Sequence, residues 1–149
     1  MDRENRYKLV EIDLTDDTSV AGGGTVNNQL LQPPVGFIYE AIDFYWNVPG
    51  VGGATGAHYC YIQWDAAGTR QIMIAANTDT NGIRYRNQDW DLSSSDAPSS
   101  QPSQGFTPNC KIIASNSIPV YFQYKNSLDT AQAGTRTLII VAKMYREAP

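Results

Sequence analysis

His58 and Cys60 stand two residues apart, a spacing that places an imidazole and a thiol on one face of an extended strand. A cysteine nucleophile needs such a base, and the base needs an orienting partner and donors for the developing oxyanion. Neither accompanies the pair, and His58 is the one histidine of the chain, so any triad or zinc site would have to be built on it alone. Packed strand residues are the simpler reading. Asp89 and Asp91 flank Trp90 and would project from one strand face, about 7 Å apart at the backbone. A glycosidase pair normally comes from separate elements across a cleft, so strand-edge charges that keep the surface soluble explain these better.

Residues 77–82, Asn77-Thr78-Asp79-Thr80-Asn81-Gly82, copy the opening of a calcium loop. The first ligand position is an amide, the twelfth is Gln88 where a bidentate Glu is needed, and the flanks are strand-like. A β-turn accounts for the same residues. Cys60 and Cys110 lie in apolar runs without C-x-x-C spacing, which predicts two free, buried thiols and no metal site. No catalytic set emerges, and the chain is expected to be non-enzymatic, with no cofactor.

The elements that carry these residues read as strands. Lys8, Val10, Ile12 and Leu14 alternate with Tyr7, Leu9, Glu11 and Asp13, the period of a strand with one buried face. Residues 15–26 are polar and contain Gly22-Gly23-Gly24, which predicts a flexible loop; residues 27–32 are ambiguous, and Pro33-Pro34 end them. Residues 37–46 are β-branched and aromatic, a long strand with a bulge where the alternation slips between Ile38 and Phe44. Further strands are expected over 57–65, 70–76, 83–92, 110–114, 118–124 and 135–146, with Asn81-Gly82 as a hairpin turn between the third and fourth of these segments counted from 37. Residues 93–108 hold seven Ser or Thr and three Pro, a long surface loop.

About eight strands without a helix predict one antiparallel β-sandwich over 6–149, preceded by an N-terminal arm over 1–5. At 149 residues one domain can bury roughly 70% of its unfolded surface. The 42% hydrophobic content suits such a core, and a net charge of −4 with scattered basic residues argues against nucleic acid. No run of 18 apolar residues exists, and the start Met1-Asp2-Arg3-Glu4-Asn5-Arg6 is charged, so neither a membrane span nor a secretory signal is expected.

This strand layout, the short charged N-terminus, the Pro33-Pro34-Val35-Gly36 entry to an aromatic strand and the Ser/Thr/Asn/Gly-rich loops resemble one group of known proteins. They are the small tumour-necrosis-factor-like jelly rolls of viral capsids, especially the trimeric decoration or cementing proteins of tailed phages. The resemblance runs from Arg6 to Arg146. It implies a homotrimer on the major capsid protein lattice, made in the host cytoplasm and residing on the virion surface.

The strands at 37–46 and 57–64 are apolar on both faces, more than one sandwich needs for its interior. Phe37, Tyr39, Phe44, Tyr45, Trp46, Tyr59 and Tyr61 are therefore expected at an interface between copies, and Asp2, Arg3, Glu4 and Asn5 at the capsid. The competing expectation is a carbohydrate-binding β-sandwich or phage receptor-binding appendage. There Trp64, Trp90 or Tyr59 would stack on sugars and Asn87, Asp89 or Asp91 would bind hydroxyls.

Overall fold

The computed structural model describes residues 6–77, 83–86 and 112–148. Among them are nine strands and no helix: β1 (Lys8–Asp13), β2 (Thr25–Leu31), β3 (Phe37–Val48), β4 (Gly56–Gln63), β5 (Gln71–Asn77), β6 (Ile83–Arg86), β7 (Ile112–Ser115), β8 (Val120–Leu128) and β9 (Thr137–Arg146). One sheet has the order β1-β9-β3-β6, with β7 also on β3, and the other has the order β2-β8-β4-β5. All pairings are antiparallel.

β6 pairs with Tyr45–Val48 and β7 with Ile38–Ala41, running in one direction along the same edge of β3. They are two halves of one strand position, so nine segments fill eight positions. The resulting arrangement, with the first strand beside the last in one sheet and the second beside the penultimate in the other, is a jelly roll.

Period-two burial builds the interior. β8 alternates without a break from Val120 to Leu128, and β9 turns Leu138, Ile140 and Ala142 inward. Phe122 is the hub, its ring 5.5 Å from that of Phe44 and 5.6 Å from that of Trp46, both edge-on, the preferred geometry for aromatic pairs. The bulge expected in the aromatic strand lies between Ala41 and Asp43, where the β3–β9 register slips. It lets Tyr39 and Ala41 on one side of Ile42, and Phe44 and Trp46 on the other, all turn to the core.

Three expectations change. Of the ambiguous residues 27–32, all but Gln32 belong to β2, whose inward positions Asn27 and Gln29 are amides, bonded to each other at 3.1 Å, so hydropathy hid the alternation. The loop ahead of it is anchored, because Asp16 bridges Arg136 and Val20 bridges Gln132 through paired backbone hydrogen bonds, and Val20 is buried. Asn81-Gly82 lies outside the described residues, but the strands on either side of it, β5 and β6, sit in different sheets and do not pair. Residues 1–5, the 93–108 segment, Cys110 and most of the expected 83–92 strand also lie outside the described residues.

Candidate functional site

Register fixes what each sheet presents to the outside. On the five-stranded sheet, Tyr7 and Tyr145 form a tilted ring pair at 5.7 Å beside Ile38. The next rows are Leu9, Lys143, Glu40 and Ile113, then Glu11, Val141 and Asp43, then Asp13, Ile139 and Tyr45. Leu9 is 57% exposed, Tyr7 46% and Ile113 46%. Two of the charges among them are engaged on the face, the Lys143 ammonium 4.7 Å from the Tyr7 ring centroid and Glu40 accepting from the Tyr145 hydroxyl at 3.2 Å, while Glu11 and Asp13 stand exposed along β1. Burial and the neighbouring Glu40 carboxylate raise the Tyr145 phenol pKa above its ordinary value. The exposed apolar residues Tyr7, Leu9 and Ile113 thus share this face with the carboxylates Glu11, Asp13 and Asp43.

The four-stranded sheet presents Leu30 and Tyr121, in whose row Gln63 is buried, then Asn28, Gln123, Tyr61 and Met73, then Val26, Lys125 and Tyr59. The Tyr59 and Tyr61 rings lie 6.0 Å apart at 34°.

The seven residues expected at one interface do not share a surface. Phe44 and Trp46, at 2% exposed each, belong to the core, and Tyr39 packs against it. Phe37 lies under the Arg146 guanidinium. Tyr45 faces out from the five-stranded sheet, while Tyr59 and Tyr61 face out from the opposite one. Two apolar faces on one strand thus reflect one core face and one outer face, and a single axis cannot use both outer faces. Sequence reasoning missed Tyr7, Leu9, Ile139 and Val141, although β9 carries the same two-sided signal as β3. Asp2, Arg3, Glu4, Asn5, Asn87, Asp89, Trp90 and Asp91 lie outside the described residues, and Trp64 packs partly against the core.

His58 and Cys60 do share an inward face, both fully buried. The His58 ring nitrogen Nδ1 and the Tyr124 hydroxyl are 3.1 Å apart. Burial pushes the Cys60 thiol pKa far above its ordinary value, with the Arg136 charge only a partial offset. A buried thiol kept protonated does not attack electrophiles at neutral pH. In native protein Cys60 is expected to resist maleimide labelling at pH 7.5 and to label fully in denaturant; peptide mapping that found it modified in the native state would contradict its placement.

The polar groups around this pair clamp one end of the sandwich. Arg136, 2% exposed, pairs with Asp16 and donates to Gln132 Oε1 at 2.6 Å and to the Thr18 carbonyl. Its guanidinium lies 5.3 Å from the Tyr124 ring centroid. Asn126 donates to the carbonyls of Val20 at 2.9 Å and Thr130 at 3.0 Å, and Gln132 donates to Pro49 O at 3.2 Å. Three inter-strand connections, after β1, β3 and β8, are thereby held together by side chains that satisfy buried backbone groups. Among the described residues no cluster of three or more His, Cys, Asp or Glu could hold a metal ion.

The topology defines a jelly-roll β-sandwich. No protein-family model matches the chain, and no curated protein matches it in sequence. Among solved structures it is similar to the infectious bursal disease virus VP2 subviral particle, at 11% identity and a TM-score of 0.25. The match covers 96% of this chain and 42% of that one. At that degree of likeness nothing of the viral protein's role transfers.

Proposed function

We propose that this protein is a structural, non-enzymatic component of a virus particle, a homotrimer that binds a capsid lattice and stabilises it from the virion surface. The observation that carries the reading is the outer face of the five-stranded sheet, where Tyr7, Leu9 and Ile113 stand exposed and Ile139 and Val141 half-buried, with Lys143 over the Tyr7 ring and Glu40 bonded to Tyr145. Burying it between copies supplies about 25 cal/mol per Å2 of apolar area against an association cost on the order of 10 kcal/mol. The choice of a trimer and of a capsid partner follows from the resemblance set out above. Weak polar contacts from each subunit to the lattice then add through multivalency.

The polar arm Met1–Asn5 is the docking segment in this reading, since its mixed charges suit a lattice patch and not an apolar axis. Deleting residues 1–5 is expected to leave the oligomer intact and to reduce co-sedimentation with capsids. Unchanged capsid binding would remove the docking role from the arm. A second reading, glycan binding, is favoured by the Tyr59–Tyr61 pair beside Tyr121 on the opposite sheet, because tyrosine faces stack on sugar rings. Retention on immobilised polysaccharide, lost on free saccharide, distinguishes it from the capsid reading.

A further inference from the structure

Every strand at the margin of a sheet offers unpaired backbone groups, and proteins blunt such edges with charges, bulges or interruptions. β1 carries Lys8, Glu11 and Asp13, all exposed. β5 is bulged where its register with β4 slips at Cys60/Tyr61. The β6/β7 edge is broken into two pieces. β2 has none of these devices. Its seven residues, Thr-Val-Asn-Asn-Gln-Leu-Leu, contain no charge and no proline, and among the described residues it is the margin of its sheet and pairs only with β8.

We infer that β2 is a homotypic pairing edge, joining two copies of this chain antiparallel about a twofold axis through Asn28. Self-complementarity selects a second copy as the occupant. With Asn28 opposite its symmetry mate, Val26 faces Leu30 of the second copy, and Leu30 faces that copy's Val26. These are the two exposed apolar residues of the strand, at 46% and 38%. They project to the same outer side as Asn28, and aliphatic cross-strand pairs of this kind stabilise a sheet.

On the inner side Asn27 faces Gln29 of the other copy, amide against amide, and the strand ends Thr25 and Leu31 meet. A register shifted by one residue would break the Val26–Leu30 pairing and set outward side chains opposite inward ones, Leu30 against Asn27 or Thr25. The four-stranded sheet would then continue across the contact as eight strands. Being twofold and on the other sheet, the contact is independent of the threefold face proposed above and would link trimers pairwise.

Cysteine cross-linking reads the register directly. Opposed residues of an antiparallel pair have Cα atoms about 4.5–5.5 Å apart, within disulfide reach, whereas two copies of Thr25 would lie about 20 Å apart. In a Cys110→Ser background treated with oxidised glutathione, Asn28→Cys is expected to give covalent dimer at least about tenfold faster than Thr25→Cys. Adding Val26→Lys and Leu30→Lys should abolish that dimer. Adding Leu9→Glu, which targets the other sheet, should leave it unchanged. No dimer from Asn28→Cys with an unaltered β-type circular dichroism spectrum, or equal dimer from Thr25→Cys, would overturn the inference whatever the outcome for the trimer.

Discussion

Replacing Phe122 by alanine is expected to lower folding stability by about 4 kcal/mol, the range measured for large aromatic truncations in packed cores. Phe122 is fully buried on the central strand β8, and it is the ring on which Phe44 of β3 and Trp46 of β3 both converge from the opposite sheet. Its removal leaves a cavity between the two layers, because neither indole nor phenyl can follow without leaving its strand register. Urea denaturation should show a lower midpoint with an unchanged slope. A loss below about 1 kcal/mol would mean that the layers do not meet at this residue.

The second large effect is at Arg136. Truncation to alanine is expected to destabilise the fold by about 3 kcal/mol, the lower end of the range for breaking a buried ion pair. The lower end applies because Asp16 retains 16% side-chain exposure and can turn to water, while Gln132 Oε1 and the Thr18 carbonyl lose their donor. The pH dependence has a definite sign. Burial works to raise the Asp16 carboxyl pKa, but hydrogen bonds from Thr18 and Arg136 and the Arg136 charge outweigh it, so the folded value lies below the ordinary 3.8. A depressed carboxylate contributes stability above its unfolded pKa and loses it as pH falls through the folded one. Wild-type protein should therefore lose this contribution under acid below about pH 4, and Arg136→Ala should show a weaker acid dependence. Identical acid profiles would show that the pair does not act on Asp16.

The sequence displayed the strands wherever hydropathy alternated, as along β8 and β9, and it displayed the bulge in β3 as a slip in that alternation. β2 stayed hidden because Asn27 and Gln29 face inward at a sheet margin, where amides bonded to each other replace apolar side chains. The clamp at one end was illegible for a different reason. Arg136 and Asp16 are 120 residues apart and read as ordinary surface charges until the topology places the segment after β1 on the segment before β9. The outer faces of the sheets were half legible. Two-sided apolar strands were correctly seen to have a second apolar face, but alternation alone cannot say which face is core. Phe44 and Trp46 went to the interior, while Tyr45 of the same strand went out.

Multi-angle light scattering on the wild-type chain and on Leu9→Glu tests most directly whether the outer face of the five-stranded sheet assembles copies. Leu9 is exposed and sits opposite Lys143, so a glutamate there leaves the fold intact and charges the face. The wild type is expected at three times the 16.4 kDa chain mass, or at a multiple of that trimer, and the variant at a lower mass. A wild-type monomer of 16.4 kDa at micromolar concentration, or a variant whose mass does not change, would contradict it.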